Sequence, residues 1–190
     1  MRDRGPGDHQ LLTGGEASRT RERARSRALL LLEHRERSVR EMQQRLAGAG
    51  FQPEVVEEVL VWLSGLELLD DQRFASNYAA CKRRSGWGPV RIRRELALKG
   101  VAAAVVEAAL HPAEEGAGGG VGRGDGAAEV EESLVRTLQR KFAEAARQDP
   151  CGAHRRAAAF LARRGHPWPD IQRLVGRALG GTVEDGDQAP

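Results

Sequence analysis

The feature of this sequence that most constrains its fold is a helix–glycine–helix pattern that occurs three times. When Gly50 is placed on Gly100, an offset of 50 residues, the apolar positions of both flanking helices coincide. When Gly100 is placed on Gly165, an offset of 65 residues, the apolar spacing is matched again. Repetition at this period, with no strand pattern, predicts tandem helical modules that pack on one another. The coinciding positions are Met42, Ile92 and Ala157, then Leu46, Leu96 and Leu161, then Val56, Val106 and Ile171, and then Leu60, Leu110 and Val175.

The longer second offset is explained by an insertion that is rich in glycine. Residues 114–126 read EEGAGGGVGRGDG, a composition with few side chains to pack and typical of a flexible linker. The sequence therefore predicts six segments in chain order. These are a disordered tail over 1–17, a first helical repeat over 18–69, a second over 70–112, a Gly-rich linker over 113–126, a third repeat over 127–180 and a disordered acidic tail over 181–190.

Composition supports an all-α fold. Hydrophobic residues make up 40% of the chain but aromatic residues only 4%, so the core must consist mainly of Leu, Val and Ala, which favour helices over strands. No apolar run approaches the length of a membrane span, and the N-terminus has no secretory pattern. We expect a cytoplasmic protein, without membrane partners, that is a monomer.

The second repeat contains the most informative local signals. Asp70 and Asp71 precede a helix and are predicted to cap its N-terminus. Phe74, Tyr78 and Cys81 follow at helical spacing, which predicts one apolar face and a core position for the cysteine. Residues 86–89, Gly-Trp-Gly-Pro, then break this helix and begin the next one.

A dense positive cluster spans the same turn. Seven Lys or Arg residues lie between Lys82 and Lys99 against one acid, Glu95, so the local charge is 7 − 1 = +6. Phosphates or an acidic protein surface would be attracted to it, although an ordinary solvated face has the same pattern. Trp87 fits either a contact residue or a core plug between modules. The candidate binding residues are Lys82, Arg83, Arg84, Trp87, Arg91, Arg93, Arg94 and Lys99.

Catalytic and cofactor motifs are absent from the sequence. It has no nucleophile elbow, P-loop, zinc-protease motif or dinucleotide fingerprint, and the glycine run ends without the Lys-Ser or Lys-Thr of a phosphate loop. The five histidines are scattered, and the two cysteines have no metal-ligand spacing. We expect no catalytic, metal or cofactor site, and no enzyme activity.

The run LLDDQRFASNYAACKRRSGWGPVRIRRELALKGV resembles the signature of the RecX family of recombination regulators. The similarity is strong over residues 24–112 and weaker over 127–180. The matching elements are residues 68–71, 73–75 and 86–89, with Tyr78, Arg83, Ile92, Glu95, Leu96, Lys99 and Gly100, and, in the preceding repeat, Ala28, Leu29, Arg35, Ser38, Glu41, Leu46, Gly50 and Phe51.

This resemblance implies three tandem three-helix repeats that form an elongated, curved molecule. It further implies a non-enzymatic protein that binds the RecA recombinase filament on single-stranded DNA and inhibits its ATPase and recombinase activities, hence a regulator of DNA repair, recombination and the SOS response. Contact with single-stranded DNA would be through the filament or direct. The alternative is a free-standing DNA-binding module in which the helix after Pro89 acts as a recognition helix.

Overall fold

The computed structural model describes residues 14–111 and 125–180, and over these ranges the chain forms nine α-helices and no strand. This confirms the all-α fold. Most of the predicted tails and linker lie outside the described ranges, and α1 and α7 begin a few residues earlier than the sequence predicted. The helices are α1 (Gly14–His34), α2 (Val39–Ala47), α3 (Pro53–Gly65), α4 (Asp71–Arg84), α5 (Pro89–Leu98), α6 (Ala103–Leu110), α7 (Asp125–Gln148), α8 (Pro150–Arg163) and α9 (Trp168–Leu179).

The three aligned glycines occupy one structural position in three repeats. Gly50, Gly100 and Gly165 have φ angles of 86°, 79° and 81°, which favour glycine over residues with a Cβ. Each donates its N–H to the carbonyl three residues earlier at 2.9 Å, and the next residue donates to the carbonyl five residues before it. This is the Schellman motif that ends a helix. Its recurrence confirms the register of the repeats, which are α1–α3, α4–α6 and α7–α9.

The chain divides into two compact units, and the boundary lies inside α4, between Phe74 and Ala75. In the first unit α1, α2 and α3 pack around a continuous apolar core. Several of its side chains lie at the positions that the repeat alignment selected. The buried members of this core are Ala24, Ala28, Met42, Leu46, Val56, Val59, Leu63 and Leu69.

Two side-chain oxygens fix the beginning of α2. The Oγ of Ser38, which is fully buried, accepts a hydrogen bond from the N–H of Glu41 at 3.1 Å. The Oδ1 of Asp71 accepts from the N–H of Val39 at 2.9 Å. Asp70 accepts from the second and third amides of α4, at 2.7 and 3.1 Å, and this confirms its predicted capping role.

The prediction that Cys81 lies in the core is wrong. Its side chain is exposed, whereas α4 buries Phe74, Ala75 and Ala79 and leaves Tyr78 half-buried. The buried face is therefore centred between Phe74 and Ala79, which moves residue 81 to its edge. The spacing of the larger side chains predicted a different face, because α4 packs closely through its small residues Ala75 and Ala79.

In the second unit, α7, α8 and α9 enclose the core of the third repeat, which is built from Leu134, Val135, Leu138, Ala157, Ala158, Leu161, Ile171, Leu174 and Val175. As predicted, α7 ends at Gln148, and Asp149 then caps α8 through the N–H of Gly152 at 2.8 Å. Glu131 on α7 accepts hydrogen bonds from Arg173 and Arg177 on α9, which hold the pKa of this carboxyl below its usual range. In the second repeat, the buried side chains of α5 and α6 include Ile92, Leu96, Val106, Ala109 and Leu110.

Candidate functional site

The turn that begins α5 is joined directly to the turn that ends α8. The N–H of Gly88 donates to the carbonyl of Arg164 at 2.8 Å, and the N–H of Val90 donates to the carbonyl of Gly165 at 3.1 Å. Amides at the beginning of a helix and carbonyls at the end of one have no partners within their own helices. Here each set satisfies the other, so the second and third repeats are coupled through the backbone.

Side chains from the third repeat reinforce this turn contact. The guanidinium of Arg164 donates to the carbonyl of Ser85 at 3.1 Å and lies over the ring of Phe160, with 4.5 Å between the guanidinium carbon and the ring centroid. The Nε2 of His166 donates to the carbonyl of Gly86 at 3.2 Å, so this ring nitrogen carries a proton, because a carbonyl oxygen can only accept. The carbonyls that follow the end of α4 are therefore bound by the third repeat.

The two glycines of the contact have no room for a side chain. A Cβ on Gly88 would lie 2.2 Å from the carbonyl oxygen of Gly165, and a Cβ on Gly165 would lie 2.5 Å from the Cβ of Arg91. Both distances are shorter than non-bonded atoms tolerate, and the obstructing atoms are mostly backbone. Gly88, the second glycine of the Gly-Trp-Gly-Pro turn, is thus required by the close approach of the third repeat.

Cations and aromatic rings alternate along the second repeat. The guanidinium of Arg91 lies 3.8 Å from the centroid of Trp87, and the Nζ of Lys82 lies 4.6 Å from the same ring. Lys82 and Lys99 also lie 5.2 and 5.5 Å from the centroid of Tyr78. Such contacts orient the cations and are worth about 0.5–1 kcal/mol each at exposed sites. Trp87 is half-buried and serves as a platform for Arg91 and Lys82 between α4 and α5.

Two of the predicted binding residues have structural partners within the repeat. Arg83 donates to the carbonyls of Ala109 and Leu110 at 3.1 and 2.6 Å, so it caps the end of α6, and burial lowers its pKa. Arg93 forms a bidentate pair with Glu107 at 2.6 and 3.0 Å. This hydrogen bonding raises the pKa of Arg93 and lowers that of Glu107. Both arginines connect α6 to the rest of their repeat.

The arginines most available for binding are Arg84, Arg91 and Arg94, which we call the arginine face. All three are exposed, and within residues 14–111 and 125–180 neither Arg84 nor Arg94 is paired with an acid or an aromatic ring. Arg84 ends α4 and the other two lie on α5, and Lys82 and Arg91 on the ring of Trp87 bring those two helix ends together. The sequence predicted this cluster but could not separate its free arginines from its structural ones.

Metal-binding clusters and membrane-spanning helices are absent from the described residues 14–111 and 125–180. Across the described ranges, no group of three or more His, Cys, Asp or Glu side chains could hold a metal ion. No helix in the same ranges is long and apolar enough to cross a bilayer.

Comparison with known proteins decides the family. The sequence model of the RecX second three-helix domain matches residues 70–110, and that of the RecX first three-helix domain matches residues 24–63. A protein named regulatory protein RecX from Stenotrophomonas maltophilia strain K279a is 32% identical over 169 residues, which are 88% of this chain and 95% of the relative. The chain belongs to the RecX family. A second regulatory protein RecX, from Pseudomonas savastanoi pv. phaseolicola, is 35% identical over 80% of this chain and 88% of its own length.

Solved RecX structures share the fold. The crystal structure of RecX from Lactobacillus salivarius superposes with a TM-score of 0.68 at 17% identity and covers 85% of this chain and 97% of the other. A crystal structure of regulatory protein RecX gives 0.66 at 22% identity, over 92% and 81% of the two chains. Membership in this family of regulatory proteins supports a regulatory role for the chain. The Gly-Trp-Gly-Pro turn at residues 86–89 lies within the region that matches the RecX second three-helix domain.

His166 is expected to make the turn contact of this RecX protein sensitive to acid. Burial lowers the pKa of His166 below its ordinary value of 6.5, an effect that the Gly86 carbonyl and Asp170 oppose and Arg164 reinforces. The unfolded chain therefore binds the proton more readily, so stability is present above pH 6.5 and falls as the pH drops toward the lower folded-state pKa. Urea unfolding at pH 7.5 and pH 5 should show a larger loss of stability for the wild type than for His166→Gln. An equal loss in both proteins would contradict this role for His166.

Proposed function

We propose that this RecX-family protein binds the RecA filament on single-stranded DNA and inhibits its ATPase and recombinase activities. In this way it would regulate DNA repair and recombination in the cytoplasm, as a monomer, without catalysis or a cofactor of its own. The single observation that carries the proposal is the arginine face, held beside a family-specific turn in a chain whose family is regulatory. A nucleoprotein filament offers both phosphates and acidic side chains to such a surface.

The test is the single-stranded-DNA-dependent ATPase rate of RecA from the same organism, with the protein titrated in. We expect the rate to fall at substoichiometric amounts, because one bound molecule on a polymer can affect more than one subunit. The control is the same titration without DNA, which separates an effect on the filament from an effect on free RecA. An unchanged rate, in a sample that circular dichroism shows to be helical, would overturn the proposal.

The alternative, a free-standing DNA-binding module, has less support from the geometry of α5. A recognition helix reads base edges with residues near its N-terminus. In this protein the first amides of α5 are bonded to Arg164 and Gly165, and the third repeat lies against that end of the helix. A footprint at a defined duplex sequence in the absence of RecA would favour the alternative. Salt-sensitive binding that ignores sequence would not, since phosphate contacts carry no sequence information.

A further inference from the structure

One side of α5 exposes large apolar side chains on either side of an arginine. Val90, Arg94 and Leu98 follow one another at intervals of four residues, which places them in a single row along the helix. Val90 is 50% exposed and Leu98 is 70% exposed, and Arg94 between them is exposed as well. We call these three residues the α5 stripe. It lies outside the core contacts of the helix, which are made by Ile92 and Leu96.

The stripe is unusual within its own unit. Among the described residues from Ala75 onward, only three large hydrophobic side chains are exposed, and two of them are Val90 and Leu98. The third is Trp168, 45% exposed, three residues after the Gly165 whose carbonyl binds the N–H of Val90. Single exposed apolar residues need no explanation, but two of them in one row of a short helix, beside exposed arginines, match the residue types of a protein interface.

The composition of the stripe indicates which kind of partner it fits. Phosphates would be bound by Arg84, Arg91 and Arg94, yet they would gain nothing from Val90 and Leu98. Protein interfaces, in contrast, combine buried apolar side chains with arginine, which is enriched at their energetic centres. The three exposed arginines beside the stripe, Arg84, Arg91 and Arg94, favour complementary carboxylates on the partner.

We propose that the α5 stripe docks on an apolar surface flanked by carboxylates on the protein subunits of the filament, and does not contact its DNA. The inference rests on the proposed function and adds to it, because it divides α5 between two roles. Val90 and Leu98 contribute apolar contacts with a protein subunit, and Arg94 pairs with a carboxylate beside them. Such contacts are less sensitive to salt than contacts with phosphates.

The first experiment compares two double variants of the full chain in binding to the RecA filament. Val90→Ser/Leu98→Ser removes the apolar part of the stripe. The matched control is Leu29→Ser/Val61→Ser, which removes exposed apolar side chains from α1 and α3. Leu29 is 43% exposed and Val61 is 68% exposed. We expect the stripe variant to bind about tenfold more weakly at every salt concentration, and the control to bind like the wild type. Because all four positions are exposed, both variants should keep the helicity of the wild type.

The second experiment identifies the molecule that the stripe touches. The photo-reactive variant Leu98→benzoylphenylalanine is irradiated on filaments that carry labelled DNA, and we expect a crosslink to a protein subunit and none to DNA. A crosslink to DNA, or a stripe variant that binds as tightly as the wild type, would overturn this inference and leave the proposed function standing. If the wild type itself does not bind the filament, the proposed function fails and the inference fails with it.

Discussion

In Gly88→Ala the free energy of unfolding is expected to fall by about 3–5 kcal/mol, because the new Cβ would separate the second and third repeats. That atom would lie 2.2 Å from the carbonyl oxygen of Gly165 and 2.3 Å from the N of His166. Both are backbone atoms, so no change of rotamer can relieve the overlap. Overpacking of this kind costs about 1–3 kcal/mol, and loss of the two backbone hydrogen bonds adds about 1 kcal/mol each.

The measurement is urea unfolding followed by circular dichroism, with Gly65→Ala as the matched control. Gly65 is the last residue of α3, and a Cβ there would meet no atom within 4 Å. The same chemical change should therefore leave stability unchanged or raise it by up to about 1 kcal/mol, since alanine is the better helix former. Equal stabilities for the two variants would contradict the close contact between the turns at Gly88 and Gly165.

The triple variant Arg84→Ala/Arg91→Ala/Arg94→Ala is expected to bind the RecA filament roughly 100-fold more weakly than the wild type. An exposed cation at an interface contributes on the order of 1 kcal/mol, so three of them together contribute about 3 kcal/mol, which corresponds to two decades in Kd. The three side chains face water, so helicity should change little. Filament binding followed by fluorescence anisotropy at several salt concentrations would measure both the affinity and its dependence on charge.

A second triple variant separates the arginine face from net charge alone. Arg136→Ala/Arg140→Ala/Arg155→Ala removes the same charge from exposed positions of the third repeat, and we expect its affinity to stay within about twofold of the wild type. If the two triple variants lose affinity equally, only overall charge matters to binding. If a folded variant of the arginine face binds as the wild type does, these residues are not the contact.

These expectations depend on a distinction that the sequence could not make. Arg83 and Arg84 are adjacent, with the same chemistry, and both belonged to the predicted cluster. Yet Arg83 caps α6, 26 and 27 residues away along the chain, while Arg84 faces solvent. Arg93 is likewise paired with Glu107, although its neighbour Arg94 is not. Charge count alone therefore overstated how many cations are available to a partner.

The sequence by itself determined the all-α fold, the three-fold repetition and the helix ends at the aligned glycines, because these depend on interactions within a few residues. The glycines at 50, 100 and 165, the cap at Asp70 and the apolar spacing at the aligned repeat positions are local signals, and the structure confirms them. Only the tertiary structure decided which face of α4 is buried, which arginines are bound to other groups of the protein, and why Gly88 must be glycine. Those features depend on partners up to about 80 residues away, such as the carbonyl of Gly86 bound by His166. The local pattern contains no trace of such partners, since only the packing of segments that are distant along the chain brings them together.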